Sequence, residues 1–346
     1  MVHIHFLLNQ EGKKHSNGTF HPESAQRIEV IESWLSSQNN PNITFEYSNK
    51  EASREDVEII HSSNYYDLIK KTQGIEQYFR FDADTSANSY TYKAAIQAVE
   101  IGKIAMTQSN TSKSTFALVR PPGHHATQTS PMGFCIFNNI AIATQFALNN
   151  NFFKRIAIID FDQHFGNGTA YIHERNPSIL YISTHADPRM AYPGSGFVEE
   201  IGKGDGRGFN VCIPLGYHAT EVDINLAFQR ILTPIILQFK PEVLAISAGF
   251  DGYERDPIGI LGISSEGFGL IGQIINNIAL DLNIPVAHFL EGGYNIKMLP
   301  LLVSSYVQSF FSTENNKDIE KIEQAQDQTI LTLKKAQTLL KDYWEI

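Results

Sequence analysis

DFDQHFGNG, residues 160–168, continues the apolar run RIAIID (155–160). A short run of aliphatic and β-branched side chains without polar alternation reads as a strand buried on both faces. Alternate residues of an extended segment point the same way, so Asp162 and His164 can reach a common point, with Asp160 two residues earlier. Taken alone, D-x-D-x-H is also compatible with a turn capped by aspartates. Its neighbours along the chain decide between the two.

Six further runs have the same character: VHIHFLL (2–8), TFALV (115–119), ILYIST (179–184), FNVCIP (209–214), VLAISAG (243–249) and PVAHFLE (285–291). Helical periodicity falls between them, at 22–37, 62–72, 89–108, 137–150, 222–239, 264–281 and 295–312. Apolar strands separated by helices predict an α/β fold, a parallel sheet covered on both faces. Residues 1–346 are expected to form one domain, with 314–346 a helical extension packed on it. In open parallel sheets ligands sit beyond the carboxyl ends of strands. Four such ends here are polar: Asp160, Asp162 and His164; Asp251 in SAGFD; His124 and His125 in RPPGHHA; Tyr294 in LEGGY.

Composition narrows the function. The 346 residues carry 27 Lys+Arg against 37 Asp+Glu, a net charge of −10. Such a chain repels phosphate, so no direct nucleic-acid binding is expected. Two cysteines, Cys135 and Cys212, build neither a disulfide framework nor a zinc knuckle. The N-terminus lacks the pattern of a signal peptide, and no apolar run reaches the roughly 18 residues of a membrane span. A cytoplasmic location without membrane association is the expectation.

The chemistry follows from residue types. Asp162, His164 and Asp251 offer two carboxylates and one imidazole, a three-ligand set that leaves a coordination position open for catalysis. Zinc in such a set lowers the pKa of its water to roughly 7 and polarises a carbonyl; ligand type alone also admits Fe²⁺. Histidine titrates near neutrality and suits His124 and His125 to acid–base work. Asp160 and Asn167 are candidates to orient them. Tyr294, after Gly292 and Gly293, is a candidate oxyanion donor. Phe134 and Tyr192 are candidate channel walls for a methylene stem. Asp82, in FDADT, is either a rim acceptor for substrate or a loop cap.

Together these motifs resemble the zinc-dependent deacetylases of the histone deacetylase and acetylpolyamine amidohydrolase superfamily, in its class II-like bacterial branch. The resemblance runs through HPESAQR (21–27), HSSNYYDLI (61–69), FDADT (81–85), RPPGHHA (120–126), GFCIFNN (133–139), DFDQHFGNGT (160–169), YPGSG (192–196), SAGFD with DPIG (247–259) and LEGGY (290–294). It implies an arginase/deacetylase-type fold with a parallel sheet of about eight strands. It implies zinc on Asp162, His164 and Asp251, His125 as general base and acid, and His124 as its electrostatic neighbour. Asp160 would support His124, and Asn167 would support His125. Tyr294 would hydrogen-bond the scissile carbonyl, and the Gly133 carbonyl would accept the amide N–H. Ile258, in DPIG, joins the substrate-binding set. Arg27 would lie in an internal channel beneath the metal, and a structural potassium ion near Asp160, Ser183 and Thr184.

Three positions are notable against the family pattern. Phe165 stands where a second histidine is common, Tyr192 where phenylalanine is frequent, and Tyr294 is retained. The function implied is removal of acetyl groups from acetyl-lysine in a peptide or protein. Small acetylated polyamines or other acylated amines are the alternative substrates. A catalytically dead acyl-lysine reader is a third reading, but no ligand, base or tyrosine is missing. The oligomeric state stays open.

Overall fold

The computed structural model describes residues 2–311 and 324–346. Among these, eight strands form one sheet: β1 (His3–Asn9), β2 (Ile43–Ser48), β5 (Lys113–Leu118), β6 (Ile156–Asp160), β7 (Ile179–Ala186), β8 (Asn210–Leu215), β9 (Val243–Ala248) and β10 (Val286–Leu290). Their order is β2-β1-β5-β10-β9-β6-β7-β8, and every pairing is parallel. A small antiparallel pair, β3 (Phe79–Arg80) and β4 (Ser86–Ala87), stands apart.

All seven apolar runs of the sequence are strands of this sheet. The eighth, β2, was not among them. It lies at the edge, and its sequence ITFEYS buries only Ile43 fully. An edge strand half in solvent need not carry a continuous apolar run.

The covering helices are α1 (Gln26–Ser36), α4 (Thr91–Gln108), α5 (Asn139–Asn149), α6 (Asn167–His173), α7 (Glu221–Ala227), α8 (Thr233–Phe239), α9 (Ser265–Leu282), α10 (Leu299–Gln308) and α11 (Asp327–Leu340); α2 (Arg54–Glu58) and α3 (Ser63–Lys70) are short. The helix expected over 222–239 is continuous in path, but a π-helical turn, Phe228–Leu232, joins α7 to α8. Successive strand residues feed opposite faces. Phe6, Ile159, Ile182 and Ile246 enter one core with α1 and α7 to α11, while Leu7, Ile158, Tyr181 and Ala245 enter the other with α4 and α5. The tail helix α11 packs through Leu333, Ala336 and Leu340 into the first core. Part of the expected extension, 314–323, lies outside the described residues. No helix among the described residues is long and apolar enough to cross a membrane.

The topology fixes where chemistry can occur. From β6 the chain moves outward to β7, whereas from β9 it moves to β10 on the other side. Adjacent strands whose connections leave in opposite directions open a crevice at their carboxyl ends. DFDQHFGNG begins at the end of β6, and Asp251 follows the end of β9.

Candidate metal centre and channel

Asp160 pairs in register with Ser247 on β9 and Ser183 on β7, which places the end of β6 at the bottom of that crevice. Beyond it the chain bends and turns Asp162 and His164 towards Asp251. One donor atom from each of the three lies within 4.8 Å of the other two. His164 Nδ1 is 3.2 Å from Asp162 Oδ1 and 2.9 Å from Asp251 Oδ2.

The electrostatics test whether a cation fits. Both aspartates are fully buried. Burial penalises the charged imidazole of His164, yet Asp251 and Asp162 raise it to about 10. Burial and the charge of Asp162 push Asp251 up, while Asp162 is held low by His124 and His164 against its own burial. Two buried carboxylates therefore demand positive charge beside them, which a divalent ion would supply. The glycines agree. A Cβ on Gly292 would fall 2.2 Å from Asp251 Oδ2 and 2.5 Å from Asp162 Oδ2; one on Gly249 would fall 2.1 Å from Asp162 Oδ2. Only glycine at both positions leaves the carboxylates free to converge. The three residues fit a divalent ion.

The tandem histidines flank this centre and differ in charge. His124 Nδ1 lies 3.1 Å from Asp160 Oδ2, which also accepts the Tyr181 hydroxyl at 3.0 Å. Burial opposes the imidazolium, but Asp160, Asp162 and Glu291 raise it to about 10. His125 is pushed the other way, well below its ordinary value, by burial first and then by the charge of His124 and His164. Its Nδ1 is 2.8 Å from Asn167 Oδ1. An amide oxygen only accepts, so Nδ1 carries the hydrogen and Nε2 the lone pair.

Above the centre a cavity of about 300 Å³ is lined by His125, Gly133, Phe134, Gln163, His164, Tyr192, Ile258 and Tyr294, among others. Gly133 and Phe134 have φ of +54° and +68°. A Cβ on Gly133 would fall 2.4 Å from His125 Cδ2, so this turn admits only glycine there. Phe134 faces Tyr294 edge-on, ring centres 5.7 Å apart, and the Tyr192 ring stands edge-on to His125 at 5.0 Å.

One expectation changes. Asp82 does not reach the cavity. Its Oδ1 accepts the Thr85 and Asp84 N–H groups at 2.6 and 3.0 Å, capping its own turn, and Asp84 lines the cavity instead. Asn and Asp side chains favour such local bonds, so the nearer N–H groups win. Arg27 lies against the segment that leads to Tyr294. Wholly buried, it donates Nε to the Gly293 carbonyl at 2.8 Å and another N–H to the Glu291 carbonyl, with its guanidinium 5.0 Å over the Tyr294 ring. Phe165 is core, packed on His185 at 4.8 Å.

At the potassium position, Asp160 and Ser183 are in register, but the Ser183 hydroxyl is engaged with His185 at 2.8 Å. Thr184, one residue on, points its side chain to the other face of the strand. Its hydroxyl and that of Ser247 are buried with no partner among the described residues.

The sequence did not single out Glu291, Asp256 or Gln163. Glu291 accepts the Gly123 and His124 N–H groups at 2.7 and 3.1 Å, and burial pushes it up to about 7. Asp256 Oδ2 accepts the Tyr294 and Asn295 N–H groups at 2.7 and 3.1 Å. Both support loops from far along the chain, and no local spacing announces that.

Comparison with known proteins agrees with the geometry. Histone deacetylase 10, chloroplastic, of Oryza sativa subsp. japonica is 32% identical over 314 residues, 85% of this chain and 70% of the rice protein. Polyamine deacetylase HDAC10 of Danio rerio is 31% identical over 307 residues, 85% of this chain but 45% of that protein. The crystal structure of the HDA15 HD domain matches with a TM-score of 0.89 at 28% identity, covering 99% of this chain and 95% of that one. Residues 21–310 match the histone deacetylase domain, and with Asp162, His164 and Asp251 gathered beside a 300 Å³ cavity that His164 lines, the chain belongs to the histone deacetylase family.

Proposed function

We propose that this deacetylase hydrolyses the acetamide of acetyl-lysine side chains with a zinc ion held by Asp162, His164 and Asp251. The observation that carries the reading is the convergence of these three donors beside a cavity that His164 lines together with His125 and Tyr294. When bound, the ion polarises the carbonyl and acidifies water. The rest is the work of side chains. His125 Nε2, bare and neutral, takes a proton from the attacking water and returns it to the leaving amine. His124, kept charged by Asp160, adds positive potential beside the developing oxyanion. Burial pushes the Tyr294 hydroxyl well above its ordinary value, so it stays protonated and donates to that oxyanion. In this reading the Gly133 carbonyl accepts the amide N–H, and Phe134, Tyr192 and Ile258, which line the cavity, flank the stem.

A potassium ion behind the centre is proposed at Asp160, Ser183 and Thr184, supported by the unpartnered hydroxyl of Ser247, which is in register with Asp160. Thr184 would contribute through its main chain.

Apolar walls favour a neutral methylene stem. Of the lining residues only Asp84 is acidic, and a polyamine would lose hydration at further cationic amines along its length. The likeness to a polyamine deacetylase keeps the second reading open to assay.

The deciding experiment compares acetyl-lysine peptides, longer acyl-lysines and acetylpolyamines, with and without chelator. Acetyl-lysine turnover, lost with chelator and restored by Zn²⁺, is the expected result. Turnover of acetylpolyamines alone would transfer the reading to small amines, and chelator-resistant turnover would refute the metal. Tyr294→Phe is expected to cost on the order of 10²–10³ in kcat; an unchanged kcat removes Tyr294 from the oxyanion role. Gly292→Ala is expected to lose most of its zinc on dialysis, because the new methyl occupies the gap between the carboxylates. Zinc retained at the level of the unmodified protein contradicts that account.

A further inference from the structure

Gln163 lies between Asp162 and His164 and is 1% exposed. Its main chain already serves the centre: the N–H donates to Asp251 Oδ1 at 3.1 Å, and the carbonyl accepts the Ala186 N–H at 2.8 Å. Its side chain lies along the channel wall. There Oε1 accepts the Ile260 N–H at 2.8 Å and Nε2 donates to the Ile258 carbonyl at 3.0 Å. These partners fix the amide's orientation, since a flipped amide would set oxygen against oxygen and N–H against N–H. The same nitrogen lies 3.1 Å from His164 Nε2.

Three other bonds hold the wall segment, none of them to the metal-ligating segment: Asp256 accepts the Ile258 N–H on Oδ1 at 3.1 Å and the Gly259 N–H on its carbonyl at 3.3 Å, and the Ile260 carbonyl accepts the His218 N–H at 2.9 Å. Residues 258–260 form neither helix nor strand, and Ile258 is 36% exposed. Gly259, at its middle, sits so close to Asp251 that a Cβ would fall 2.3 Å from the Asp251 carbonyl oxygen. One carboxamide bonds both residues flanking Gly259, and that carboxamide belongs to the metal-ligating segment.

We propose that Gln163 is a specificity-determining positioning residue: it pins the Ile258–Ile260 wall to the metal-ligating segment and so sets the bore of the channel. A fixed bore suits a slender, unbranched stem and excludes a thick one. The identity of the stem as acetyl-lysine rests on the function proposed above; the tether rests on geometry alone.

The test uses zinc-loaded protein and two probes, a straight-chain alkyl hydroxamate and one carrying an aromatic ring on its stem, with Kd measured by calorimetry. Gln163→Met keeps length and volume but removes both hydrogen bonds. It is expected to weaken the straight-chain probe about tenfold, as two net hydrogen bonds allow, and to raise KM for an acetyl-lysine peptide similarly. The preference between probes should shrink, while zinc per chain stays unchanged and kcat stays within about threefold. Gln163→Glu keeps the shape and the Ile260 bond but loses the Ile258 bond. The same ratio of the two probes, expected to be intermediate, reads the proposal if Gln163→Met does not fold. Ile258→Ala should be non-additive with Gln163→Met. An unchanged probe ratio overturns the proposal. So does a fall of zinc content and kcat together at constant KM, which would make Gln163 a support of His164 alone. If the unmodified protein turns over no acylated amine, the deacetylase function fails, while the probe ratio still decides the role of Gln163.

Discussion

His125→Ala is expected to lower kcat on an acetyl-lysine peptide by roughly 10²–10⁴, the range of a lost general base, with bound zinc unchanged. The ring touches none of the three ligand carboxylates or imidazole through a hydrogen bond, so its loss should leave the ion in place. The magnitude follows from its state. Asn167 Oδ1, 2.8 Å from Nδ1, holds the hydrogen there and leaves Nε2 to face the channel. Burial and the neighbouring charges of His124 and His164 push the pKa well below its ordinary value. A base with a lowered pKa is already unprotonated at neutral pH. The acid limb of kcat/KM should therefore fall below the ordinary histidine value of about 6.5. Asn167→Asp reverses the sign: a carboxylate favours the imidazolium, so the limb should move to higher pH. Near-normal kcat in His125→Ala would remove His125 as base, and a limb that stays put in Asn167→Asp would deny the coupling.

The sheet was legible in the sequence because its strands are buried on both faces. RIAIID, VLAISAG and PVAHFLE show no polar alternation, with a single buried polar residue inside each of the last two, Ser247 and His288, so each could be read alone. β2 could not, since ITFEYS meets solvent on one side. The convergence of Asp162, His164 and Asp251 was legible because alternation and the strand-end rule both act locally. Asp82 was misplaced by two residues: a carboxylate beside free N–H groups caps them before it reaches a distant rim. Gln163, Glu291 and Asp256 act through backbone groups 95, 168 and 38 residues away. Their partners are chosen by the fold, and one sequence holds no periodicity that reveals them. Nothing in HPESAQR indicates that Arg27 donates to two carbonyls of LEGGY, because that pairing too is made by the fold.

The same fold-made pairing governs stability beneath the site. Glu23→Ala is expected to destabilise the protein by roughly 3–5 kcal/mol, the cost of leaving buried charge uncompensated. Glu23, Arg27 and Arg120 are all 0% exposed. Arg120 grips the Glu23 carboxylate with two N–H groups, one at 2.8 Å, and donates to the Gly12 carbonyl at 2.7 Å. Arg27 reaches Glu23 Oε1 at 3.3 Å, and Asn17 donates to Oε2 at 3.1 Å. Burial pushes His15 down to about 3, so it is neutral and adds no charge near neutral pH. One carboxylate thus serves two guanidiniums, and deleting it leaves both unpaired. The pH dependence has a definite sign. Burial opposes ionisation of Glu23, but Arg120 holds its pKa below the usual carboxylate range. A depressed acid stabilises fully above its unfolded value of about 4.3 and loses that contribution as pH falls towards the folded value. Urea unfolding should therefore show the full gap between Glu23→Ala and the unmodified protein at pH 7, and a narrower gap below about pH 4. A gap under about 1 kcal/mol at pH 7, the size of an ordinary substitution, would refute the buried-charge account. Because Arg27 also holds the two carbonyls before Tyr294, the loss should reach the chemistry too: kcat should fall in Glu23→Ala even where the protein remains folded.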